Sequence, residues 1–237
     1  MRLIEPNCRM RLTGEDVDFI LEVLQPGDDS KECLEGLLTD EETRNLILDD
    51  EKLVRAILEH RGCLRISTDL YFYILVRHVL RPCGLTNRRV SDYVARLLSE
   101  FSRMERTQLR MQDTQPPLEY FCDMVAAMQQ VDDTTQFHIR VHMGNSSLFL
   151  LGIFPDRIRY RAERRGAPDA DYYERLGRSS YQAASDHRLA EEYQLAEVYH
   201  TLAEHFPTAR RALNDLGERL VHLGDPDCSK AFPWLGD

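Results

Sequence analysis

Two histidines four residues apart, His138 and His142 in the run HIRVH, are the first residues whose spacing could do chemistry. On a helix such a pair shares one face with the side chains about 6 Å apart, near enough to hold one metal ion. On a strand the pair would stand about 13 Å apart, too far for one ion. HIRVH also lacks the glutamate of H-E-x-x-H, so the general base of a zinc hydrolase is missing. The plainer expectation is two solvent-facing or hydrogen-bonded histidines. Glu197 and His200 form a single Glu-x-x-His. Helical di-iron centres need that spacing on two helices at once, and no second copy is present. His200 falls on an apolar stripe, where a satisfied core histidine is the common outcome. Neither a metal site nor a cofactor is expected.

The basic patch is DRIRYRAERR, residues 156–165. Wound as a helix, it sets Arg157, Arg161, Arg164 and Arg165 along one face. A row of guanidinium groups suits a phosphate, an RNA backbone or the acidic surface of another protein. The same face could equally pair with acidic residues of this chain. The formal net charge is −10, which repels nucleic acid unless a local basic face outweighs the rest. The charge is also uneven: residues 1–60 hold 16 acidic and 7 basic side chains, residues 134–166 hold 2 and 6. These four arginines are therefore the candidate binding residues, with an acidic protein surface as the expected partner and nucleic acid disfavoured.

Six cysteines are spread singly along the chain with no C-x-x-C, which reads as reduced thiols rather than disulfides or a zinc site. Glycine-rich phosphate loops, the dinucleotide fingerprint, the nucleophile elbow and the kinase signatures are all absent. Ser146 and Ser147 follow a glycine, but nothing in the nearby sequence supplies a base to activate them. The tyrosines at 172, 173, 181, 193 and 199 read as packing residues with a polar tip.

The elements that would position these residues are helical. Thr13 caps a helix carrying Val17, Ile20, Leu21 and Leu24, which Pro26-Gly27 stops. Thr39 to Glu42 has the form of a capping box. A helix from Asp49-Asp50 carries Leu53, Val54 and Ile57. Residues 68–81 are apolar nearly all round, which predicts a helix in the middle of the bundle. Thr86 is expected to cap a long helix with Val90, Tyr93, Val94 and Leu97 on one stripe. Residues 134–143 alternate like a strand yet also fit a longer helical stripe through Phe137, Val141, Gly144, Leu148 and Leu151. Helix is preferred, because no good partner strand is visible. Tyr173, Gly177, Ser180 and Ala184 make a stripe of mostly small residues that permits close helix approach. Leu189, Tyr193, Ala196, His200 and Ala203 read as one further helix, and Ala209, Leu213, Leu216 and Leu220 as another.

The expectation is an all-α multi-helix bundle, with one short irregular or β segment near 134–143 kept open. An acidic N-terminal helical subdomain would cover residues 1–62 and a main bundle residues 63–237, with a linker at 107–117. No stretch reaches the ~20 apolar residues of a membrane span, and the N-terminus has no secretory h-region. These point to a cytoplasmic, non-enzymatic interaction protein, an adaptor or assembly component, with homo-oligomerisation open. The second reading is an enzyme or ligand-binding protein with a pocket lined by His138, His142 or Glu197 and His200. The tail holding Phe232 and Trp234 is expected to cap the bundle or to serve as a docking peptide.

Overall fold

The computed structural model describes residues 3–24, 31–59, 65–108, 121 and 124–222; for 31–33, 103–108 and 219–222 only the backbone is described. The protein is all-α, and among the described residues there is no strand. Residues 134–143 lie inside a single long helix. The expected linker is outside the described residues except for 107 and 108, and the Phe232/Trp234 tail is outside them entirely. The chain divides into two compact units, one built on Glu5–Ser102 and the other on Arg103–Gly217.

In the first unit a single 3-10 turn, Cys8–Met10, precedes α1 (Gly14–Leu24), α2 (Lys31–Thr39), α3 (Glu41–Leu48), α4 (Glu51–Glu59), α5 (Thr68–Leu80) and the start of α6 (Arg88–Gln108). Thr13 and Asp16 cap α1 reciprocally, each accepting the other's backbone N–H. Two expected caps move by one residue. Thr39 ends α2 by donating to the Gly36 carbonyl, which leaves Asp40 to accept from the Thr43 amide and start α3. Asn87, not Thr86, accepts at the start of α6 from the Arg89 amide, while the Thr86 carbonyl takes a hydrogen bond from Arg77. α5 is buried on nearly every face, from Leu70 to Leu80, and packs on α4 and the 3-10 turn. The expected boundary at residue 62 lies outside the described residues; α4 and α5 pack on each other, and the change from one unit to the other at Ser102 falls inside α6.

The second unit is built from α7 (Asp133–Ile153), α8 (Pro155–Arg165), α9 (Ala170–Ser185), α10 (Arg188–Glu192), α11 (Ala196–Glu204) and, as far as Gly217, α12 (Phe206–His222). Small residues let α7, α9 and α12 approach closely. A Cβ on Gly177 would lie 2.5 Å from the Phe206 ring and 2.9 Å from Ser147, and one on Gly144 would lie 2.8 Å from Tyr181. The buried face of α9 is Tyr173, Gly177, Ser180, Tyr181 and Ala184. Tyr181 donates to Asn145 Oδ1 at 2.7 Å and stacks on Tyr199. Asn214 donates to the Leu151 and Gly152 carbonyls at 2.7 and 2.8 Å, satisfying groups that the end of α7 would leave orphaned.

The single helix expected over 189–203 is two helices. Gln194 adopts φ 56 and the Leu195 amide bonds back to the Ala190 carbonyl at 2.7 Å, a left-handed cap that ends α10. The break rotates the register, so that α11 buries Val198, Tyr199 and Leu202 beside the expected Ala203, and not the expected positions 196 and 200.

Candidate functional site

α8 starts after the break at Phe154, where Pro155 needs no helical N–H donor, and stops at Gly166 in the left-handed conformation with its amide on the Arg161 carbonyl. Only Ile158 is buried in this helix. The sequence therefore has one narrow side to anchor: Arg157 and Arg164 point away from Ile158, while Arg161 and Arg165, three and seven residues after it, border the anchored side. Arg157, Arg164 and Arg165 are exposed, and Arg161 is half-buried. Steps of four, three and one place all four on one face, as the spacing predicts. Arg164 stands 6.0 Å from the centre of the exposed Tyr160 ring. Arg159, between them, pairs with Asp156 at 2.7 Å. Among the described residues no carboxylate pairs with Arg157, Arg161, Arg164 or Arg165. The Arg161 Nε is buried with no hydrogen-bond partner there.

Arg9, Arg77, Arg88 and Arg96 of the first unit behave differently, and sequence reasoning missed their partners. Asp92 of α6 is fully buried and accepts from Arg9 Nε at 3.2 Å and from the Cys8 amide at 2.8 Å. Burial pushes its carboxyl up, against the pull of Arg9. The Cys8 thiol, 1% exposed, is pushed well above the ordinary thiol range by burial and by Asp92 beside it, which favours the protonated thiol. Asp49 gathers Arg77 at 2.9 Å and Arg88 at 2.7 Å. Burial alone would raise its pKa, but the two guanidinium groups hold it below the ordinary carboxylate range. Asp69 takes Arg96 and Ser99. These groups tie the 3-10 turn, α3, α5 and α6 together by ion pairs that helical periodicity does not reveal.

His138 and His142 share a face of α7. His138 lies half-buried with its ring edge on Phe137. His142 is more deeply set, its Nε2 3.4 Å from Ser146 Oγ, and burial pushes its pKa down to about 4. Among the described residues no group of three or more histidine, cysteine, aspartate or glutamate side chains is placed to hold a metal ion.

His200 is not the core residue its spacing suggested. The rotation at Gln194 turns it outward, 61% exposed and 3.9 Å from Glu204, and Glu197 is exposed as well. What the sequence did not announce is the surface His200 belongs to. Arg175, Arg178, Ser179 and Gln182 recur along one side of α9, and His200, Ala203 and Glu204 along the facing side of α11, enclosing an open groove of about 480 Å³. Arg178 Nε donates across it to the Ala203 carbonyl at 3.3 Å. A polar stripe such as 175, 178, 179, 182 was visible in the sequence, but its spacing is the same for a solvated face and for a groove wall.

Among the described residues no helix is long and apolar enough to cross a membrane. No protein-family model matches the chain, and neither a curated protein nor a solved structure does.

Proposed function

We propose that this chain is a non-enzymatic interaction protein, an adaptor or assembly component of the cytoplasm, that docks an acidic surface of another protein on the arginine face of α8. The observation that supports the reading is a contrast in pairing. Arg9, Arg77, Arg88 and Arg96 hold carboxylates of their own unit. Arg157, Arg161, Arg164 and Arg165 share one face of a helix and have no such partner among the described residues. Four cations on one helix face repel one another, and an acidic surface relieves that repulsion while giving planar, bidentate contacts. Tyr160 beside them offers the kind of aromatic anchor found in interface cores.

Charge reversal tests the reading. Arg157→Glu, Arg164→Glu and Arg165→Glu leave Ile158 in place and so keep the helix anchored. Proteins retained by the wild-type chain at low salt are expected to be lost with the triple variant and to elute from the wild type as salt rises. The same proteins held equally by both would reject α8 as the docking face. Tighter retention of wild type on RNA than on polyglutamate would replace the acidic protein with nucleic acid.

A further inference from the structure

The groove between α9 and α11 belongs to a different face of chemistry from α8, and its walls define what it can take. Arg175 and Arg178 are one turn apart on α9 and both line the groove, within reach of one ligand. Among the described residues neither has a carboxylate within ion-pair distance, whereas Arg210 close by pairs with Glu174 at 3.2 Å. Arg178 is held in place by the bond from its Nε to the Ala203 carbonyl, a tether that leaves its terminal nitrogens with donor capacity. The remaining polar groups are already engaged. Ser179 donates to the Leu176 carbonyl at 3.1 Å, and Gln182 donates to Asp186 at 3.2 Å. Glu204 on the opposite wall stands 3.9 Å from His200 and 3.7 Å from His205.

We propose that this groove binds the dianionic phosphoryl group of a small phosphorylated molecule, held by Arg175 and Arg178. Two adjacent guanidinium groups carry the two positive charges that a phosphate monoester matches and a single carboxylate does not. Their fork of donors offers more hydrogen bonds than two carboxylate oxygens can accept. Glu204 repels an anion that spans the groove, which confines the phosphoryl group to the α9 wall and leaves the α11 wall to an uncharged part of the ligand. A volume of about 480 Å³ accommodates a small molecule rather than a bare ion.

The test is titration of the full-length chain with inorganic phosphate and, separately, acetate at constant ionic strength, followed by amide shifts of α9 and α11. Phosphate is expected to produce saturable shifts centred on Arg175 and Arg178 of α9, with only smaller ones on α11, and acetate none. Arg175→Gln is expected to weaken phosphate about tenfold, the loss of one charge-assisted contact. This side chain makes no hydrogen bond among the described residues, so its removal leaves the fold intact. Arg178→Gln, checked for native helicity, should do the same. The α8 triple variant should bind phosphate like wild type. Phosphate shifts that fail to saturate, that acetate reproduces, that survive Arg175→Gln, or that vanish in the α8 variant would each overturn the assignment, and none of these depends on whether α8 docks a protein.

Discussion

At the scale of single residues, the charges that sit inside this protein set how it responds to acid. Asp49 has its folded pKa held below the ordinary value by Arg77 and Arg88, overcoming the opposing effect of burial. Its contribution is therefore complete above the unfolded carboxylate pKa of about 4 and is lost as pH falls through the lower folded value. Asp49→Asn leaves the Arg77 guanidinium, 6% exposed, without its carboxylate, and the expected cost is about 3 kcal/mol at neutral pH, measured by urea titration. His142 acts in a different window. Burial lowers its folded pKa to about 4, below the unfolded value near 6.5. The unfolded chain then binds more protons between those values, so stability falls as pH drops from about 6.5 towards 4, by up to about 3 kcal/mol. His142→Gln should flatten that part of the profile and leave the steeper loss below pH 4. An unchanged slope between pH 6.5 and 4 in the variant would show that His142 is not the group responsible.

At the scale of elements, close approach is what makes the second unit cohere, and glycine reports it. Alanine normally favours a helix over glycine by about 1 kcal/mol. At Gly36 in α2 nothing lies within 4 Å of a new Cβ, so Gly36→Ala should raise the melting temperature. At Gly177 the new Cβ would enter the Phe206 ring and crowd Ser147. Overpacking costs about 1–3 kcal/mol, which exceeds the helix gain, so Gly177→Ala should lower the melting temperature and perturb α7, α9 and α12 together. If both variants raise the melting temperature, helix propensity alone governs and the packing argument fails. The stripe through Gly177, Ser180 and Ala184 was legible because small residues at helical spacing have few other uses. α5 was legible because an apolar residue at almost every position allows no solvent face. The break at Gln194 was not, since glutamine gives no local warning of a left-handed backbone. That one residue misplaced His200, and with it the groove. Asp49, Asp69 and Asp92 were hidden for a related reason: the apolar pattern marks which face is buried and carries no record of charges paired inside it.

At the scale of the whole molecule, the substitutions above fall in different compact units, Asp49 in the one built on Glu5–Ser102 and Gly177 in the one built on Arg103–Gly217. Each unit has its own buried set: Leu53, Leu70, Tyr73 and Tyr93 in the first, Phe137, Tyr181, Tyr199 and Phe206 in the second. A core that closes within a unit can be lost without the other, so a single unfolding transition is not required of a chain organised this way. Asp49→Asn is expected to lower one calorimetric transition and Gly177→Ala the other. In the double variant each transition should sit where its single variant placed it, since residues without shared partners add. The alternative outcome is equally definite. One transition that moves with either substitution, and further with both, would mean that α6, which runs through Ser102 from one unit into the next, couples the two cores into a single cooperative block.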